Sequence, residues 1–357
     1  MREEEGDDDR ERDLPLPALL ALALPLWCVG TAGLLAWLAL LPLIAAHALL
    51  TRRARGAEVP QRALVALTAH APKGRERARD TVLLMHGWPD WPGLWDATVD
   101  ALTRAGYRCF VAALPGAHGE VVRTAPLPNA VVLALRDALV AAHGNAPVTL
   151  LTHDWGAVYG YLLAQTHPAL VRRIACLDVG GALRARTLPL ALFTYQWPLA
   201  LGFALGGPVG DAMVRLIAAL MRYRARPLRA VRASSACHYV AFVRARAHAP
   251  ALLGGLHLDY TPPRSVPTLF AYGARKPLMF HSAEWARRVR ATACGEVHRL
   301  ACGHWLMVDA PDELHELLCG WLERSERPPA EAERHAAARA PSSVSYTHLT
   351  PPTTPYV

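Results

Sequence analysis

The chain has 357 residues, 52% of them hydrophobic and 19% charged, with a formal net charge of +8. That length accommodates one sizeable α/β domain with an insertion and a terminal segment, and the apolar content excludes a wholly disordered chain. Nucleic-acid binding is not expected from the charge: Lys73 and Lys276 are the only lysines, and the arginines are scattered instead of gathered into a stripe.

In chain order, residues 1–13 form an acidic leader of eight acids and three arginines. Residues 14–50 contain no Asp, Glu, Lys or Arg. About 20 apolar residues span a bilayer, so this stretch predicts an N-terminal transmembrane segment. It is either one long helix or a hairpin, with Pro15, Pro17, Pro25 and Pro42 as kinks or turn. Arg52, Arg53, Arg55 and Arg62 follow the run and favour that side as cytosolic. The first three would also attract anionic lipid headgroups. The expectation is a membrane-anchored protein whose main domain sits in the cytosol. The seven cysteines show no Cys-x-x-Cys pair and no metal spacing, and read as reduced core thiols.

From residue 60 onward, short apolar runs alternate with helical periodicity. Strands are predicted near 81–86, 108–114, 148–153, 173–179, 268–273 and 297–302, and helices over 94–105, 129–143, 157–167, 282–292 and 311–324. The alternation predicts a mostly parallel sheet flanked by helices, with core segments 60–182 and 263–325. Between them, residues 183–262 lose the alternation and read as helical and aromatic-bearing. The tail, 326–357, reads as disordered, and its last fifteen residues look like a translated adaptor sequence.

Three turns carry chemistry. Thr152-His153-Asp154-Trp155-Gly156-Ala157 follows an apolar β-branched run and opens a helix. A strand, a sharp turn with small residues and a helix make a nucleophile elbow, here with aspartate in place of serine. His86-Gly87-Trp88-Pro89-Asp90 follows the strand at 81–85, and Gly303-His304-Trp305 follows the strand near 297–302. In an open parallel sheet the C-terminal ends of the strands share one edge, where ligands bind, so the three turns converge. No Gly-x-Ser-x-Gly occurs, which disfavours a serine esterase.

These motifs resemble the epoxide hydrolase and haloalkane dehalogenase branch of the α/β-hydrolases, over roughly residues 60–325. The resemblance implies an α/β-hydrolase fold with a helical cap at 183–262 and no cofactor or metal. It implies Asp154 as the nucleophile that forms an ester, with the backbone N–H groups of Trp88 and Trp155 as the oxyanion hole. His304 would activate the hydrolytic water. His86 and Gly87 are expected to shape the turn, and His153 to pack or hydrogen-bond beneath the elbow.

One departure stands out. The family's orienting acid commonly follows the penultimate strand, but Gly273 is followed by Ala274, Arg275 and Lys276, and no carboxylate appears before Glu284. Some haloalkane dehalogenases draw this acid from the strand after the elbow helix, which makes Asp178 the candidate here. Two cap tyrosines protonate the leaving oxygen in the family's epoxide hydrolases. Tyr195, in a Tyr-Gln context, and Tyr239, ahead of Tyr223 and Tyr260, are the choices. The expected activity is hydrolysis of a lipophilic epoxide to a diol. The alternatives are a dehalogenase, with the Trp155 indole donating to halide, and a non-catalytic membrane-tethered homologue.

Overall fold

A computed structural model describes residues 64–118, 122, 124–182, 195–248, 260–276 and 278–326. Seven strands form one sheet: β1 (Ala66–His70), β2 (Thr81–Met85), β3 (Arg108–Ala113), β4 (Val148–His153), β5 (Val171–Leu177), β6 (Thr268–Gly273) and β7 (Glu296–Leu300). Their order is β1-β3-β2-β4-β5-β6-β7, with β1 antiparallel to β3 and every other pairing parallel. β2, β4 and β6 are buried along their whole length, which is why they read as continuous apolar runs. β1 was not expected. Its sequence, Ala-Leu-Thr-Ala-His, is largely exposed at the sheet edge and gives no apolar signature.

Helices cover both faces. α1 (Asp96–Arg104), α2 (Pro128–His143) and α3 (Trp155–Thr166) connect the early strands, and α2 starts at a proline and ends before Gly144 at φ 69°. Between β5 and β6 lie α4 (Trp197–Leu205), α5 (Gly207–Leu220) and α6 (Cys237–His248). α7 (Ala283–Arg290) is capped by Ser282, whose side chain accepts from the Trp285 N–H. A short α8 (Leu306–Asp309) and the long α9 (Pro311–Ser325) close the described fold. Trp95, Trp285, Trp321, Tyr107, Tyr161 and Phe270 fill the core.

The transmembrane expectation requires correction. No helix among the described residues is long and apolar enough to cross a membrane. Residues 14–50, on which the expectation rested, lie outside the described residues, as do the acidic leader, residues 183–194 and 251–259, and the tail beyond Glu326. The described residues thus give the transmembrane segment, and the membrane-anchored localisation expected from it, no support.

Candidate active site

β2 and β4 are neighbours, and the sheet order reverses between them: β3 follows β2 on one side, and β5 to β7 follow β4 on the other. The crevice beyond their C-terminal ends is the topological switch point where ligands bind in such sheets. The turn after β2 carries His86, Gly87 and Trp88, and the turn after β4 carries Asp154. The two approach so closely that a Cβ on Gly87 would lie 2.2 Å from Asp154 Oδ1, and one on Gly156 would lie 2.2 Å from the Met85 carbonyl oxygen. Both positions therefore require glycine. Asp154 has φ 52°, a left-handed conformation costly for a residue with a Cβ and a mark of stored strain.

That strain aims the carboxylate. The Trp88 N–H donates to Asp154 Oδ1 at 2.7 Å, while Oδ2 lies 3.6 Å from His304 Nε2. His304 sits between β7 and α8, in a loop closed by a hydrogen bond from the Gly303 N–H to Asp309 Oδ2 at 3.0 Å. From beneath, His153 Nε2 hydrogen-bonds the His304 carbonyl oxygen at 3.0 Å. His86 is buried between Gly87 O (3.0 Å from Nδ1) and the Leu114 N–H (3.2 Å from Nε2), so it ties the turn to the end of β3. Burial pushes its pKa down to about 4, which suits a neutral structural ring.

Asp178 follows β5 at φ 66° and is wholly buried. Its Oδ2 accepts a short hydrogen bond from His304 Nδ1. Its Oδ1 accepts from the Gly273 N–H at 2.9 Å and from Lys276 Nζ at 2.6 Å. The structure thus joins Asp154, His304 and Asp178 in one chain of contacts. Burial works to raise the Asp178 pKa, but the charges of Lys276 and His304 outweigh it and hold the carboxyl well below its usual range. Burial also disfavours a charged His304, yet Asp178 and Asp154 together raise it to about 9. Asp154 is lowered against its own burial, by hydrogen bonding to His304 first.

Tyr195, just before α4, and Tyr239, on α6, lie with ring centroids 6.1 Å apart. The Tyr239 ring meets Trp155 at 5.1 Å and Trp88 at 5.7 Å, edge to face in both cases. Burial and, secondarily, the Asp154 charge raise the pKa of both phenols, so both keep their protons. Tyr223 instead packs on Trp305 at 5.1 Å, and Tyr260 stacks on Tyr161 behind the elbow helix at 5.0 Å.

Three groups near the site were not assigned from sequence. Asp90 accepts from Trp305 Nε1 at 3.1 Å and lies 3.6 Å from His153 Nδ1. His238 stacks on Trp155 at 5.8 Å, and its Nδ1 lies 2.8 Å from the Tyr159 hydroxyl. Lys276 touches Asp178 across 98 residues. The sequence signals for Lys276 were its place after Gly273, about where the family's acid would stand, and its rarity as one of two lysines in the chain.

The chain is similar to several known proteins. The chain is 34% identical over 101 residues to the epoxide hydrolase srdG of Neurospora crassa, a match covering 26% of this chain and 29% of that relative's length. It is 25% identical over 257 residues to a haloalkane dehalogenase of Mycolicibacterium paratuberculosis, covering 68% of this chain and 83% of the relative. The fold superposes on epoxide hydrolase A from Mycobacterium thermoresistibile with a TM-score of 0.51 and 20% identity, over 72% of this chain and 94% of that one. A family model described as the alpha/beta hydrolase fold matches residues 80–311. That match spans more than half of the chain, and the chain belongs to the α/β-hydrolase fold family.

Proposed function

We propose that the protein hydrolyses a lipophilic epoxide to a diol through an ester on Asp154. The observation that carries this reading is the division of labour between the two Asp154 oxygens. Oδ1 is held at 2.7 Å by the Trp88 N–H, which leaves Oδ2 on the side of His304. Oδ2 attacks an oxirane carbon, the C–O bond breaks, and the departing oxygen takes its proton from Tyr195 or Tyr239. His304 then removes a proton from water as that water attacks Asp154 Cγ. Negative charge gathers on Oδ1, where the Trp88 and Trp155 N–H groups stabilise it. Collapse expels the diol, its Oδ2 taking a proton back from His304, and leaves the water oxygen in an Asp154 carboxyl whose proton passes to His304, replacing the one that reprotonates the tyrosine after oxirane opening.

Two buried, protonated phenols favour epoxide over halide, because a leaving alkoxide needs a proton and a halide does not. The aromatic surroundings, Trp88, Trp155, Tyr195, Tyr239 and Phe242, favour an apolar substrate.

The test is single-turnover hydrolysis of styrene oxide in H₂¹⁸O with enzyme in excess. The expected result is unlabelled diol in the first turnover and ¹⁸O in the peptide containing Asp154. Label in the first-turnover diol would mean direct attack by water and would exclude the ester. Halide release from a bromoalkane without diol from any epoxide would favour the dehalogenase, and neither product would favour a non-catalytic homologue.

A further inference from the structure

Lys276 has no part in the steps above, yet it is built into the site. Its side chain is only 5% exposed, its Nζ donates to Asp178 Oδ1 at 2.6 Å and to the Gly273 carbonyl at 2.7 Å, and it lies 5.5 Å from the Tyr272 ring centroid. It stands where a second acid would follow β6. A carboxylate there, against ionised Asp178, would place two like charges in contact, and one would have to take up a proton. A cation does the opposite and cancels the Asp178 charge.

The cancellation matters because the charge around His304 changes during turnover. In the free enzyme His304 faces Asp154 at 3.6 Å and Asp178 in direct contact. Two carboxylates, Lys276 and a protonated imidazole then balance. Once Asp154 is an ester, one negative charge is gone. Asp178 and Lys276 already balance each other, so a neutral imidazole is now the favoured partner. That is the form that can accept a proton from water. Without Lys276, the bare Asp178 charge would hold the proton on His304 in the ester state, as a nearby opposite charge does.

The other groups around His304 do not supply this switch. His153 lies ring to ring at 4.5 Å, and Asp90 reaches the Nδ1 of His153. Asp309 is engaged by the Gly303 N–H and by Arg224, and Cys302 is a buried thiol whose pKa is raised to about 11, by burial first. Among the described residues, Lys276 is the one cationic side chain besides His304 that lies against the Asp178 carboxylate.

We propose that Lys276 is a positioning residue that neutralises Asp178, so that His304 gives up its proton, through solvent, to the phenolate left by oxirane opening when Asp154 becomes an ester. The proposal rests on the aspartyl-ester reading for its kinetic meaning, but its electrostatic core is testable without substrate. In Asp154→Asn the amide stands in for the neutral ester, and the His304 titration can be followed by NMR of ring-labelled histidine, with His304→Gln to assign the signal. Adding Lys276→Met or Lys276→Gln to that background should raise the His304 pKa by about one unit or more, and Lys276→Arg should not. Gln keeps hydrogen-bonding capacity and removes only the charge, so it also serves if the Met variant does not fold. In otherwise wild-type enzyme, Lys276→Gln should shift the pH profile of ester hydrolysis upward by a similar amount. That is about a tenfold slower hydrolysis at neutral pH, with the loss falling on hydrolysis instead of ester formation.

An unchanged His304 pKa in Asp154→Asn/Lys276→Gln would overturn the proposal, as would an equal shift in the Arg variant. Failure to trap any ester in the wild type would sink the functional reading, while the titration would still decide the role of Lys276.

Discussion

The two ends of the sheet each bury a carboxylate against a cation, and they are built differently. At the N-terminal edge, Asp80 pairs with Arg173, and Thr149 bridges them, donating to Asp80 Oδ2 at 3.0 Å and accepting from Arg173 Nε at 3.0 Å. Arg173 also reaches the Leu322 carbonyl and Ser325 Oγ on α9, both at 3.0 Å. At the C-terminal edge, Asp154 and Asp178 both have positive φ. Nearby, Trp88 Nε1, Asp90 Oδ1, Thr152 Oγ1 and His153 Nδ1 are buried without a hydrogen-bond partner among the described residues. One end is satisfied and ties the last helix to the sheet. The other keeps strain and spare polar capacity where a reaction would need them.

Substitutions should separate the two ends. The largest effect is expected for Asp154→Asn, which removes the nucleophile. Epoxide turnover should fall by about 10⁴-fold or more, while the protein still unfolds cooperatively with a modestly lowered transition, since Asn keeps the side-chain shape and loses only the ion pair with His304. Steady-state diol formation and thermal denaturation of the same samples check both halves.

Arg173→Met should invert that pattern. It leaves buried Asp80 with only Thr149 and the more exposed Arg172, 3.4 Å away, and is expected to destabilise by about 3 kcal/mol, measured by urea denaturation. The turnover rate per folded molecule should stay near that of the wild type. A loss of turnover beyond the loss of folded protein would mean the ends are coupled through β4 and β5, and the comparison would fail.

Smaller effects sharpen the picture of the catalytic edge. Tyr195→Phe and Tyr239→Phe should each slow ester formation by about 10- to 100-fold, since general acid catalysis contributes about 10²–10⁴-fold and two phenols share it. The pre-steady-state rate of ester formation reads this directly. If neither variant slows that step, the phenols are packing residues and the preference for epoxide over halide loses its support.

The smallest effect concerns pH. The folded pKa of His304, about 9, lies above its ordinary 6.5. A raised pKa means this stabilisation is fully present below about pH 6.5 and fades as pH rises through 9. Thermal stability should therefore decline over that window. In Asp154→Asn the decline should be shallower, because one of the two carboxylates holding the proton is gone.

Much of the site was legible because its turns are local. The small residues at Gly87 and Gly156 and the placement of Asp154 between strand and helix follow from close backbone approach within short segments. The same locality explains the failures. β1 is an exposed edge strand whose pattern resembles a loop, and it is recognisable only through its pairing with β3. The apolar run at 14–50 suggested a transmembrane segment on composition, and the described fold contains no helix that could serve as one.

By itself, the sequence determined the alternation of buried strands and helices, the aspartate elbow and the order of the chemical groups along the chain. These depend on periodicity and on turns a few residues long. The resemblance offered Asp178 as the acid for His304, but only tertiary structure brought the two into contact and set Lys276 against that acid. Asp178 and His304 are 126 residues apart, and Lys276 and Asp178 are 98 apart. Such contacts depend on the order in which strands lie side by side, and on the fact that β5, β6 and β7 end at one edge of the same sheet. No local pattern records that adjacency.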